Sequence, residues 1–241
     1  PPDGVAILNA DDARVAAMAE RTSANVITYG LSNEADVRAE AIDSRGLAGV
    51  RFTLVHDGER ASVSSRLPGR AMVHNALAAA AAGLVDGIAL ADIAEALTEA
   101  QIPTRLVAHR AVNGSTIIDD TYNASPDSMH AALDLLGEVP GRKFAVLGDM
   151  RELGGAAHDG HIQVGRRAAE VADVIYAVGD LGRWIGDAAF QAGHRDVHIV
   201  MDKSEIAPAL LPQLASGDVV LVKGSRALAL ETVVEALEEK A

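Results

Sequence analysis

The chain has 241 residues, a formal net charge of −13, 49% hydrophobic and 3% aromatic residues, and no cysteine. That length holds one large or two ordinary domains around an Ala, Val, Leu and Ile core. The acidic balance excludes a nucleic-acid footprint, the few aromatics exclude a base-stacking platform, and the absent thiols exclude disulfides and thiolate metal sites.

No apolar run reaches the ~18 residues of a membrane span, and no signal peptide is visible. The composition therefore reads as a cytoplasmic protein without a membrane span. Pro1-Pro2-Asp3-Gly4 opens without Met, which reads as a cut or processed start. Residues 5–8 are predicted as a short strand that ends in Asn9-Ala10-Asp11-Asp12. Asp12 is placed to cap a helix through Glu20. Residues 25–29 form a second strand. The pattern then changes: residues 37–42 and 50–55 are β-rich, His56-Asp57-Gly58-Glu59 reads as a hairpin turn, and residues 61–65 as its return strand. After Leu67-Pro68-Gly69-Arg70, helices are predicted over 74–85 and 90–99. Ile102-Pro103-Thr104-Arg105 interrupts the pattern, and the expected domains are 1–105 and 106–241.

The second part alternates strand and helix. Ser115-Thr116-Ile117-Ile118 stops at Asp119-Asp120. Ser125 then suits an N-cap and Pro126 a first helical position. Met129, Ala132, Leu133 and Leu136 fall at i, i+3, i+4 and i+7. Three more apolar runs follow. Residues 144–147 end in Gly148-Asp149, 174–178 in Gly179-Asp180, and 219–222 in Lys223-Gly224-Ser225-Arg226. Continuous apolar runs fit parallel strands buried on both faces, and the alternation implies right-handed βαβ units in a doubly wound sheet. Parallel strands bring all four charged ends to one rim, where ligands bind in such folds. A single Gly-Asp is equally well a turn with a helix cap. Four on one rim favour a site. Gly154-Gly155 lacks the Gly-x-Gly-x-x-Gly spacing of a dinucleotide-binding enzyme.

Several segments together carry a resemblance. They are residues 8–12, Leu67 to Arg70, Asn75 to Ala81, Pro103-Thr104-Arg105, Asp119 to Met129, Leu147 to Gly154, His161 with Gly165, and Val222 to Arg226. In these the chain resembles the Mur ligases of peptidoglycan synthesis, and within them the branch that adds D-Ala-D-Ala to UDP-MurNAc-tripeptide. The resemblance implies an ATP-dependent amide ligase that works through an acyl phosphate, with Mg²⁺ on the phosphates. It implies that residues 1–105 are the C-terminal half of the central ATP-binding domain, with the antiparallel patch. Residues 106–241 would be a complete Rossmann-like C-terminal domain. The family's Gly-x-x-Gly-Lys-[Thr/Ser] loop is not in this sequence, so the main catalytic and metal-holding residues are expected upstream of residue 1. Small-molecule substrates are then the implied partners.

Residue by residue, the resemblance assigns nucleotide contacts to Asn75, Arg105 and Asp120. It places Tyr122, Asn123 and Ser125 in the cleft facing the dipeptide, and gives Lys223, Ser225 and Arg226 its carboxylate. The bland readings are a polar residue early in a helix for Asn75, a surface arginine for Arg105, and solvated turns for Lys223 and Arg226. Asp149, Glu152 and His161 share the rim, with His161 read as structural. The other histidines show no metal-ligand spacing. Ala71-Met72 stands where the family usually has His-Asn, which alters the expected contact with the base. Thr104 replaces a usual Gly, which stiffens the expected hinge. A folylpolyglutamate- or cyanophycin-type ligase shares the architecture but should lack Tyr122-Asn123 and Lys-Gly-Ser-Arg. A fragment that binds nucleotide or dipeptide without turnover is the other alternative.

Overall fold

The computed structural model describes residues 1–32, 34–100 and 106–238. The chain divides into two compact units, Pro1–Gln101 and Ile102–Ala241. Each has its own sheet.

The first unit contains β1 (Val5–Asn9), α1 (Ala13–Ala16), β2 (Asn25–Gly30), β3 (Val37–Ser44), β4 (Val50–His56), β5 (Glu59–Ser65), α2 (Met72–Val85) and α3 (Leu90–Glu99). Its strands lie in sequence order. β1, β2 and β3 pair in parallel, and β3, β4 and β5 antiparallel. The hairpin turn forms at Asp57-Gly58, both at positive φ (45° and 81°). Two left-handed residues between paired strands match the right-handed strand twist, which is why Asp-Gly serves there. Alternate residues of β3, β4 and β5 (Val37, Ala39, Phe52, Leu54, Val63) pack on Val73, Leu77, Ala80 and Ala81 of α2 and on Leu90, Ile93 and Ala94 of α3.

Two expectations need correction. Asp12 does cap a helix, accepting the N–H groups of Arg14 and Val15, but α1 is one turn followed by a 3-10 segment, Ala17–Arg21. Neither piece buries a residue. Without a packed face a short helix has little to sustain it. α2 starts at Met72, two residues before the predicted start.

The second unit contains β6 (Val107–Arg110), β7 (Thr116–Asp120), α4 (Pro126–Glu138), β8 (Lys143–Gly148), α5 (Ala157–Val171), β9 (Val174–Val178), α6 (Gly182–Gln191), β10 (Val197–Val200), α7 (Ile206–Leu210), β11 (Val219–Lys223) and α8 (Glu231–Leu237). The sheet order is β10-β9-β8-β11-β7-β6. All pairings are parallel except β6 with β7. β9 and β11 are buried throughout, and β8 from Phe144 onward, as continuous apolar runs require. The two outer strands, β6 and β10, are four residues each and have no such run.

Strand alternation sorts the core into two layers. Ile117, Phe144, Val146, Tyr176, Val220 and Val222 face Ile206 and Leu210 of α7 and Val233, Val234 and Leu237 of α8. The opposite parity carries Ile118, Ala145, Leu147, Ile175 and Leu221, and α4, α5 and α6 cover that face, each packed on the next. After β10 the chain turns back and inserts β11 between β8 and β7. The helices that follow β8 and β11 therefore leave on opposite faces. The carboxyl ends of β8, β11 and β7 form a topological switch point, where an open α/β sheet leaves a crevice for ligands.

Candidate functional site

The switch point is built on register. Lys223 of β11 lies opposite Asp120 of β7, so both side chains emerge on the same face. The Lys223 ammonium donates to Asp120 Oδ2 at 2.5 Å and to the Asn123 carbonyl at 2.8 Å. The lysine side chain is 1% exposed and the aspartate 8%. An ammonium at that depth is tolerable only when paired and hydrogen-bonded. Lys223 is therefore no solvated turn; it fastens the loop after β7 to the end of β11.

That loop is ordered from within. Asp119 Oδ1 accepts the Thr121 N–H at 2.9 Å and so ties the turn that follows the strand. The Ser128 hydroxyl accepts the Ser125 N–H at 2.9 Å, and the Ser125 hydroxyl accepts the Ser128 N–H at 3.4 Å. This reciprocal capping box fixes where α4 begins, with Pro126 in its first turn as expected. Tyr122 stands out of the loop, 52% exposed. Asn123 turns its side-chain oxygen onto the Ala124 N–H at 2.8 Å.

On the other side of β11, Gly224 nearly touches the end of β8. A Cβ on Gly224 would lie 3.2 Å from the Gly148 Cα and 2.7 Å from a Leu230 methyl. The two glycines let the strand ends converge, and the Ser225 N–H donates to the Asp149 carbonyl at 2.8 Å. Ser225 is buried, whereas the Arg226 side chain is 66% exposed and pairs with Glu231 at 3.1 Å.

Asp149 has a role that its Gly-Asp context did not identify. It is buried, and its Oδ1 accepts the N–H groups of Leu181 (2.9 Å) and Gly182 (2.8 Å) at the start of α6. Its Oδ2 faces Arg151 at 3.3 Å. It therefore caps a helix that follows the next strand, not its own. Beside it a cleft of about 410 Å³ opens between Arg151, Glu152, Leu153, Asp180 and Leu181. Glu152 sits at φ 65°, an uncommon conformation for a residue with a side chain.

His161 holds the floor of that loop and is fully buried. Its Nε2 accepts the Met150 N–H at 2.9 Å, so the ring proton is on Nδ1, which donates to the Ala157 carbonyl at 2.6 Å. The structural reading of His161 is the one the contacts support. Burial, opposed by the Ala157 bond and Asp149, lowers its pKa below the ordinary 6.5. The unfolded chain then takes up the proton first. Its contribution to stability is complete above about pH 6.5 and is lost as pH falls from there towards the folded value. Urea titrations at pH 7.5 and 5.5 should show that loss, and His161→Phe should remove the histidine's part of it. An unchanged pH slope in the variant would refute this.

In the first unit, Asn75 is exposed near the start of α2, its amide 3.7 Å from the Met72 sulfur. The adjacent His74 bonds Asp11 at 2.8 Å, and Asp11 also accepts the N–H groups of Leu31 and Ser32. Burial opposes ionisation of Asp11, but these partners together hold its carboxyl below the usual range. Arg105, with the expected hinge at Pro103-Thr104, lies outside the described residues. Among the described residues no three His, Cys, Asp or Glu side chains group as a metal site, and no helix is long and apolar enough to cross a membrane.

Comparison with known proteins fits this geometry. Residues 1–83 match the Mur ligase middle domain, and residues 104–226 match the Mur ligase, glutamate ligase domain. A Mycobacterium tuberculosis UDP-N-acetylmuramoyl-tripeptide–D-alanyl-D-alanine ligase is 38% identical over 264 residues, covering 98% of this chain and 51% of the relative. The Escherichia coli enzyme of the same name is 34% identical, covering 99% and 53%. The chain thus spans about half the length of the curated relatives it matches. Among solved structures, MurF from Acinetobacter baumannii superposes with a TM-score of 0.88 at 32% identity, covering 100% of this chain and 52% of that one. MurF from Thermotoga maritima, solved with ADP, gives 0.82 at 26% identity, covering 97% and 53%. With two Mur ligase domains matched in order and relatives above 30% identity along nearly its whole length, this chain belongs to the Mur ligase family.

Proposed function

We propose that this chain is part of an ATP-dependent ligase of peptidoglycan precursor synthesis. The ligase adds D-Ala-D-Ala to UDP-MurNAc-tripeptide in the cytoplasm. The observation that carries the reading is the switch point. There the Asp119–Met129 segment and the Lys-Gly-Ser-Arg turn, far apart in sequence, are fastened together by the Lys223–Asp120 pair. The names of the relatives that match nearly the whole chain supply the substrates.

In this reading residues 1–105 are the C-terminal half of the central ATP-binding domain and 106–241 the C-terminal domain. Asn75, Arg105 and Asp120 bind nucleotide, and the ADP in the Thermotoga maritima relative supports a nucleotide ligand. Tyr122, Asn123 and Ser125 border the dipeptide. Ser225 and Arg226 take its carboxylate directly, since an exposed guanidinium beside a hydroxyl suits that anion. Lys223 adds positive charge from behind while holding Asp120 and the Asn123 carbonyl in place. ATP supplies the phosphoryl group that activates the tripeptide carboxylate. What this chain contributes is orientation of the incoming amine and stabilisation of developing negative charge by preset donors. The reading assigns Mg²⁺ and the phosphate loop to the part of the relatives' length that this chain does not span, so the chain by itself binds ligand without turnover.

The test is phosphate release by a ligase that carries this chain, given ATP, Mg²⁺, UDP-MurNAc-tripeptide and one amine at a time. D-Ala-D-Ala should support turnover, and D-glutamate, L-alanine and diaminopimelate should not. Turnover with one of these and none with D-Ala-D-Ala would overturn the reading. Turnover by the 241-residue chain alone would overturn its non-catalytic part.

A further inference from the structure

The turn that presents Ser225 and Arg226 continues through a 3-10 segment, Arg226–Leu228, and closes at Ala229 with φ 47°. A residue with a β-carbon avoids this left-handed conformation and keeps it only where surrounding contacts impose it. Here the contacts converge on two carbonyls. Lys203 Nζ donates to the Leu228 carbonyl at 2.7 Å and to the Ala229 carbonyl at 2.8 Å. The Thr232 hydroxyl donates to the same Ala229 oxygen at 2.9 Å.

Lys203 opens a 3-10 segment, Lys203–Glu205, that follows β10, the outermost strand on the far side of the sheet order from β7. It is partly buried. An ammonium that spends two of its three donors on carbonyls at the end of one turn makes charge-assisted bonds, stronger than neutral ones. The rest of the turn is held at its start by the Ser225 N–H on the Asp149 carbonyl and along its side by Arg226 on Glu231. Without Lys203 the two carbonyls would lose their charged donor, and the closing end would keep the Thr232 bonds to Ala229 and the turn's own Leu228 N–H to Ser225 and Ala229 N–H to Arg226 bonds.

We propose that Lys203 is a positioning residue for the second substrate. It touches no substrate and acts by fixing the Ser225–Arg226 turn from behind. The inference rests on the proposed reading for the identity of that substrate, but not for the mechanical role of the lysine. Arginine should replace it, because a guanidinium also offers two donors to two carbonyls.

The experiment compares Lys203→Met and Lys203→Arg in a ligase that carries this chain, by amide hydrogen exchange and steady-state kinetics. With methionine, exchange of the Leu228 and Ala229 amides should accelerate roughly tenfold or more, as local opening becomes easier. The dipeptide KM should rise roughly ten- to a hundredfold, the scale set by small misplacements at a site. The kcat and the ATP KM should stay within about twofold, and arginine should restore the dipeptide KM. An unchanged dipeptide KM overturns the proposal. So does a fall in kcat with a parallel rise in ATP KM that arginine does not rescue, which would mark a purely structural lysine. If the unmodified ligase does not use D-Ala-D-Ala, the functional reading has failed separately. The exchange result then decides alone, and unaltered exchange at Leu228 and Ala229 overturns the positioning role.

Discussion

Asp120→Ala should destabilise the second unit by about 3–5 kcal/mol, the cost of removing one partner of a buried ion pair. The lysine it leaves is 1% exposed and loses the counter-charge 2.5 Å away. Its bond to the Asn123 carbonyl remains, but a carbonyl dipole does not replace a carboxylate. The double variant Asp120→Leu with Lys223→Met should recover most of the loss, because two apolar side chains at that depth carry no desolvation cost. The destabilisation is thus a property of a buried ammonium that has lost its carboxylate, and urea unfolding of the parent, Asp120→Ala and the double variant measures it. Recovered stability should not bring back ligation. If the pair both holds the loop and charges the site, the double variant is folded and inactive. A cost below about 1 kcal/mol for Asp120→Ala would place the pair in a far wetter setting than this structure does.

Asp149→Ala should cost about 2–4 kcal/mol, and Asp149→Asn only about 1 kcal/mol. Alanine leaves the N–H groups of Leu181 and Gly182 without their acceptor, and the Gly182 bond is buried. Asparagine keeps an oxygen in place of Oδ1 and so keeps both bonds. It gives up only the negative charge at the helix start and the pairing with Arg151. Thermal unfolding of the two variants separates capping from charge. Equal losses would mean that charge dominates. The same substitution bears on the site, since the Asp149 backbone receives the Ser225 N–H. Alanine keeps that carbonyl, so it should weaken dipeptide binding only as far as loss of the α6 cap loosens the segment that carries it.

The strands that end at the rim were legible because each is an unbroken apolar run stopped by glycine or acid. The capping of α4 was legible from Ser125-Pro126 alone. The outer strands β6 and β10 were not, since four half-exposed residues carry no periodic signal. The helix expected from Asp12 to Glu20 was overread: its cap is sound, but no apolar face backs it. The pairing at the centre of the site lay beyond local reading. Asp120 and Lys223 are 103 residues apart, and they meet only because β11 inserts between β8 and β7. The same holds for Asp149, whose helix starts more than 30 residues later. Lys203, an isolated lysine after an aspartate, offered no pattern at all. Chemistry at strand ends could be read from residue types, whereas who holds whom required topology. Arg226 met its bland reading in exposure, Lys223 did not, and residue type alone could not have separated the two.

If the switch point between β8, β11 and β7 receives the dipeptide, as proposed, a crystal structure of a ligase carrying this chain, soaked with D-Ala-D-Ala and ADP, will show it there. The dipeptide carboxylate should lie within hydrogen-bond reach of Ser225 and Arg226, with the Lys223–Asp120 pair intact beneath it. A dipeptide bound away from that rim, with its carboxylate on other groups, would contradict it.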